Sequence, residues 1–187
     1  MSSSQGPSEV LLASHNRNKL RELSALLPEW ELEPLDADDY PPETGETYYE
    51  NARAKALFGP ADRWRLGEDS GLEVEALGGR PGIRSARYGA EGAEANRKLL
   101  GELGGLEDRA ARYVCELVLL APDGRELRGT GILQGRIAEQ PRGAEGFGYD
   151  PVFIPDGEDR TVAELGNDWK LRNSHRARAA QALLRQT

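Results

Sequence analysis

The sequence predicts a mixed class, α/β or α+β, and three observations carry that expectation. Apolar runs of strand length alternate with segments of helical periodicity along the whole chain. Two capping boxes, Thr47 with Glu50 and Thr161 with Glu164, mark helix starts. The turn Pro122-Asp123-Gly124 separates two long segments that read as one β-hairpin.

In chain order, residues 10–13 are an apolar run suited to a buried first strand. A helix over 19–27 places Leu20, Leu23, Leu26 and Leu27 on one face and stops at Pro28. Residues 31–35 suit a second strand, and the first capping box opens a helix over 47–58. A short strand over 72–77 leads into Gly78-Gly79-Arg80-Pro81-Gly82, followed by a helix over 91–103. Residues 112–120 and 125–138 are the arms of the hairpin. The second capping box starts a short helix over 161–165. A final helix over 174–185 turns Ala177, Ala180, Leu183 and Leu184 inward. No repeat and no separating linker interrupts this order. Residues 9–187 therefore read as one domain behind a flexible tail over 1–8.

At 187 residues the chain can bury a sizeable core. No apolar run approaches the roughly 20 residues that cross a bilayer, so no membrane partner is expected. The first residues lack the positive and apolar regions of a secretory signal. Cys115 is the one cysteine, which excludes an internal disulfide and fits a cytoplasmic setting. It lies in an apolar run, as a buried and inert thiol would. A net charge of −8 argues against a nucleic-acid partner, whose binding rests on a basic surface. A small phosphorylated ligand needs only a few local cations. Three of the four lysines, Lys19, Lys55 and Lys170, fall in the segments that follow.

Ser14-His15-Asn16-Arg17-Asn18-Lys19 follows a strand and precedes a helix, where backbone N–H groups and the helix dipole favour an anion. Asn16 also suits a plain helix cap. Glu68-Asp69-Ser70-Gly71 reads as an acidic, glycine-ended turn whose hard oxygens suit Mg²⁺. Glu43, and less plausibly Glu50, could complete the metal shell. Gly146-Phe147-Gly148-Tyr149-Asp150-Pro151 combines an aromatic face with an acid in a constrained loop. Lys170 and Ser174-His175-Arg176 add donors for a nucleobase. Phe147 is also consistent with a buried anchor.

Together, Ser14-x-Asn16-x-x-Lys19, Glu50-Asn51-Ala52-x-x-Lys55-Ala56, Glu68-Asp69-Ser70-Gly71, Gly79-x-Pro81-Gly82-x-x-Ser85-Ala86-Arg87-Tyr88, Phe147-Gly148-Tyr149-Asp150-Pro151 and Ser174-His175-Arg176 resemble one family. It is the inosine/xanthosine triphosphate pyrophosphatases, house-cleaning enzymes for noncanonical purine nucleotides. The resemblance spans about residues 10–184. It implies an elongated, two-lobed α/β fold with a central mixed sheet flanked by helices, a nucleotide cleft between the lobes, and a homodimer. The implied reaction is hydrolysis of ITP, dITP or XTP to the monophosphate and pyrophosphate, with Mg²⁺. By position, Ser14, Asn16, Lys19 and Lys55 would hold the triphosphate, with His15, Arg17 and Asn18 in the same loop. Asp69 matches the proton acceptor and metal ligand, beside Ser70. Phe147, Gly148, Tyr149, Asp150, Lys170, His175 and Arg176 match the base-binding set.

Three positions depart from the common pattern. Ser14 stands where threonine is usual, His15 where glycine is usual, and Glu68 where aspartate is usual, which leaves open whether Glu68 or Asp69 lies closer to the metal. Arg176 and the main chain near Phe147 are expected to donate to the purine 6-carbonyl, which adenine lacks. Two rival functions remain: a pyrophosphatase for modified pyrimidine nucleotides, and a non-catalytic nucleotide sensor.

Overall fold

The computed structural model describes residues 7–36, 40, 42–89 and 92–187. Most of the expected tail and residue 91 of the expected third helix lie outside the described residues. Pro7 and Ser8 do not: Pro7 is buried, and the Ser8 carbonyl accepts from the Glu31 amide at 2.7 Å. These two residues of the segment expected to be a flexible tail thus pack against the fold.

Six strands form one mixed sheet in the order β2-β1-β3-β4-β5-β6. They are β1 (Glu9–Leu12), β2 (Glu31–Pro34), β3 (Trp64–Val74), β4 (Ala110–Leu120), β5 (Glu126–Ile137) and β6 (Phe153–Pro155). β1 pairs in parallel with β2 and β3, whereas β5 and β6 are antiparallel. The helices are α1 (Arg17–Leu26), α2 (Tyr48–Phe58), α3 (Gly92–Glu102), α4 (Val162–Leu165), α5 (Asn167–Asn173) and α6 (His175–Leu184). The class is α/β. Both capping boxes close in both directions, at Thr47/Glu50 and Thr161/Glu164. β6 and α5 were not foreseen. A three-residue strand and a seven-residue polar helix carry too little periodicity to read.

The chain divides into two compact units. One comprises residues 1–69, 116–130 and 178–187; the other comprises 70–115 and 131–177. In the first, α1 buries Leu23 and the following Leu27, while α2 buries Ala52 and Ala56. The small faces of those alanines matter, because a Cβ on Gly67 of β3 would stand 1.9 Å from the Ala52 carbonyl oxygen. Only glycine lets helix and strand approach so closely. In the second unit the core gathers Leu72, Val74, Leu99, Tyr113, Phe153 and Val162.

The largest departure from expectation is β3. Glu68-Asp69-Ser70-Gly71 is not a turn; it is the interior of an eleven-residue strand that the sequence reading starts only at residue 72. Adjacent acids ordinarily mark solvent, yet Glu68 is 1% and Asp69 4% exposed. Each has found a cation, which is what buried carboxylates require.

Candidate active site

In the first unit, strand alternation sends Glu68 and Asp69 to opposite faces, so each needs its own partner. Glu68 meets Lys19 of α1 at 2.6 Å. Asp69 shares a face with Gly67, under α2, and meets two α2 side chains there. Asn51 Nδ2 donates to Asp69 Oδ2 at 3.1 Å, and Lys55 Nζ lies 3.4 Å from Oδ1. Positions 51, 52, 55 and 56 share one helical face, so the polar pair and the buried alanines arrive together. Lys55 Nζ also pairs with Glu43 and donates to the Glu68 carbonyl at 3.1 Å.

The electrostatics follow from crowding. Burial is the main reason the Asp69 carboxyl is held above the ordinary carboxylate value; Glu68 and Glu43 add to it, and Lys55 and Lys19 oppose it. Burial would depress Lys55, but Asp69, Glu68 and Glu43 together push its ammonium above the usual lysine value.

The rest of the first loop behaves differently. Asn16 caps α1, its Oδ1 accepting from the Asn18 and Lys19 amides at 3.0 and 3.2 Å. Ser14 Oγ accepts from the Asn16 amide at 3.2 Å. Arg17 and Asn18 are exposed. His15 is exposed too, its ring edge-on to Tyr40 at 4.1 Å between centroids. The structure thus draws Lys19, Glu43, Lys55, Glu68 and Asp69 together and leaves His15, Arg17 and Asn18 facing solvent. Glu50 is committed to its cap, where Oε2 accepts from the Glu46 and Thr47 amides.

In the second unit, Asp150 organises the aromatic loop. Its Oδ2 accepts from Lys170 Nζ and from the Phe147 amide, both at 2.8 Å. The Phe147 N–H is therefore bound to Asp150. Gly146 makes the turn possible: its φ is +78°, and a Cβ there would lie 2.2 Å from Asp150 Oδ2. Half-buried Phe147 carries Lys170 Nζ 4.4 Å from its ring centroid, and Arg176 5.7 Å away. Arg176 is 2% exposed and donates to Ser70 Oγ at 3.0 Å. Ser174 Oγ accepts from the Ala177 amide and so opens α6.

Four residues with no assigned role support these groups. Asn51 holds Asp69. Asn96 donates to the Gly148 carbonyl at 3.0 Å, and the Tyr149 hydroxyl donates to the Ser85 carbonyl at 2.9 Å. Tyr113 reaches Asp150 Oδ1 at 3.3 Å. Asn51 and Ser85 lie within the motifs quoted above; Tyr113 and Asn96 sit among apolar and helical residues that give no such signal.

The pattern of the Ham1 family matches residues 10–186. The chain belongs to the Ham1 family. It is 46% identical to a dITP/XTP pyrophosphatase of Gloeobacter violaceus, the match covering 94% of this chain and 92% of that one. It is 44% identical to a dITP/XTP pyrophosphatase of Deinococcus deserti, over 94% and 87% of the two chains. Among solved structures, the Staphylococcus aureus Ham1 protein superposes with a TM-score of 0.86 at 36% identity, covering 96% of this chain and 97% of that one. The Ham1 match runs through all the segments described above.

Proposed function

We propose that this chain hydrolyses noncanonical purine nucleoside triphosphates, ITP/dITP and XTP/dXTP, to the nucleoside monophosphate and pyrophosphate. It thereby keeps such bases out of DNA and RNA. The observation that carries the reading is the set of five charges gathered at the buried Glu68 and Asp69, which pairs the cations a triphosphate needs with a carboxylate of raised proton affinity. The names of the relatives in the Ham1 family agree with it.

A divalent cation fits the same residues. Among the described residues no three acidic or imidazole side chains converge on one point. The Lys55 ammonium nevertheless marks a place that Glu43, Asp69 and the Glu68 carbonyl already reach with oxygen. Those are hard donors of the kind Mg²⁺ takes. Glu43 and Asp69 would hold the ion, with Glu68 beyond them on Lys19. When bound, Mg²⁺ neutralises phosphate charge and makes water more acidic.

Asp69 aligns the attacking water and takes its proton as oxygen bonds to the α-phosphorus. The bond from that phosphorus to the β-bridging oxygen breaks, and pyrophosphate leaves. Lys19 and Lys55 exchange carboxylate oxygens for phosphate oxygens and stabilise the departing charge. Ser14 and Asn16, at the positive end of α1, steady the polyphosphate.

At the other end of the substrate, Phe147 offers its ring face while Lys170, His175 and Arg176 supply donors. Inosine and xanthine present a 6-carbonyl acceptor where adenine presents an amino donor. Burying that donor against these cations leaves it unpaired, at about 1–3 kcal/mol per lost bond. A homodimer belongs to this reading through the family resemblance, and a cytoplasmic setting through the single cysteine.

The test is purified protein with Mg²⁺ and, separately, ITP, XTP, GTP, ATP and dTTP, resolving pyrophosphate from orthophosphate. Pyrophosphate and monophosphate from ITP and XTP, with ATP spared, are expected. Orthophosphate would place the attack at the terminal phosphate and overturn the mechanism. Binding of ITP without turnover would make the chain a sensor.

A further inference from the structure

The base-reading groups of the second unit rest on a side chain outside the motifs. Tyr113 lies on β4 and is 6% exposed. Its ring stacks on the His175 imidazole, with centroids 4.5 Å apart and planes 10° from parallel. Phe153 packs on the same ring at 4.5 Å with a 44° tilt. The Tyr113 hydroxyl donates to Asp150 Oδ1 at 3.3 Å, while Oδ2 takes Lys170 and the Phe147 amide. One residue therefore touches an imidazole by stacking and a carboxylate by hydrogen bonding.

Core packing accounts for the ring and not for the hydroxyl. Tyr113 belongs to the apolar cluster with Leu72, Leu133 and Ile137, where a phenylalanine would bury as much surface without a polar atom to satisfy. The acceptor that the hydroxyl takes is the carboxylate that fixes the aromatic loop. Burial first, and then the neighbouring Asp150 charge, hold the phenol well above its ordinary pKa, so it remains a neutral donor.

We infer that Tyr113 is a positioning residue for purine recognition: its hydroxyl orients the Asp150 carboxylate and its ring sets the plane of His175. The inference rests on the nucleotide reading above and concerns only the base end of the substrate. It makes the phenol a determinant of affinity for the base and leaves the phosphoryl chemistry to other residues.

Two variants separate the contributions. Tyr113→Phe keeps the stack and removes the hydroxyl; Tyr113→Leu removes both. The full chain with Mg²⁺ is assayed for KM and kcat with ITP and XTP. Inhibition by inorganic tripolyphosphate, which has no base, is measured alongside. Losing one hydrogen bond to a charged group should raise KM for ITP about fivefold in Tyr113→Phe, with kcat within about twofold. Tyr113→Leu should raise it further, to about thirtyfold, as stacking is lost as well. The tripolyphosphate inhibition constant should stay at the wild-type value in both.

A KM unchanged in folded Tyr113→Phe overturns the role of the hydroxyl. A rise matched by an equal rise in the tripolyphosphate constant overturns the inference, since a general loosening of the fold moves both. If Tyr113→Leu does not fold, Tyr113→Phe decides alone. A wild-type chain that neither hydrolyses nor binds ITP and XTP overturns the nucleotide reading and this inference with it; in one that binds without turnover, the dissociation constant of ITP takes the place of KM. An active wild type with unchanged variants overturns this inference only.

Discussion

Asp69 and Asp150 are both buried carboxylates with a lysine partner, but they are held in opposite ways. Asp69 shares Lys55 with Glu43 and the Glu68 carbonyl, and its own contact to that ammonium is 3.4 Å. Asp150 receives Lys170 and the Phe147 amide at 2.8 Å on one oxygen and Tyr113 on the other. A lysine divided among several acceptors can leave any one of them at small cost. A carboxylate fed by several donors is fixed in one orientation by all of them together. The first arrangement suits a polyanion that arrives and departs in pieces. The second suits a flat base that must be read in one orientation. The comparison teaches that burial alone does not define a carboxylate's role; the number of partners on each side of the pair does.

Replacing the Asp69 carboxylate is the hardest blow to this contrast. Asp69→Asn keeps shape and the Asn51 contact but cannot take a proton. Losing a positioned general base costs about 10²- to 10⁴-fold, so kcat for ITP should fall by that range in a chain with a wild-type circular dichroism spectrum. Near-normal turnover would remove Asp69 from the chemistry and leave it a structural acid like Asp150.

Gly146→Ala attacks the other side of the comparison. The substitution puts a Cβ at a φ of +78° and 2.2 Å from Asp150 Oδ2, so the carboxylate must move. Left-handed strain of about 1–3 kcal/mol corresponds to a loss of roughly five- to 150-fold in kcat/KM for ITP. The loss should appear chiefly in KM, with tripolyphosphate inhibition kept. Equal losses in both would mean that the loop serves the whole fold and not the base.

The groups that make up this contrast were largely legible in the sequence, although their surroundings were not. Lys19, Lys55, Asp69, Asp150 and Arg176 stand out because the motifs that hold them occur together and in the order of one family. The strand that holds Glu68 and Asp69 was misread because local polarity signals solvent, and nothing within β3 announces that Lys19 and Lys55, 49 and 13 residues from Glu68, come to neutralise it. Gly67 was the available clue, but its need for space depends on Ala52 in a different helix. Tyr113 was hidden for the converse reason. An aromatic within an apolar strand reads as core, and it is core; only its hydroxyl partner, 37 residues on, reveals a second task.

The smallest effect separates the two carboxylates by stability. The Asp69 carboxyl lies above its ordinary value mainly because burial disfavours its charge. The folded chain therefore binds that proton more tightly than the unfolded chain does. Stability from this group rises as pH falls through the folded pKa, and levels off below the unfolded one. Asp69→Asn removes a buried charge, so without metal it should melt no lower than wild type at neutral pH, and the gap should close on acidification. Lys55 works against the gain. Its raised value marks a charge the fold favours, fully present at neutral pH and lost only as pH rises through the folded pKa, and Asp69 is the largest of the acids that favour it. The net rise in melting temperature should accordingly be small. A variant that melts clearly below wild type at neutral pH would mean that attraction to Lys55 outweighs burial, and Asp69 would then be held as firmly as Asp150.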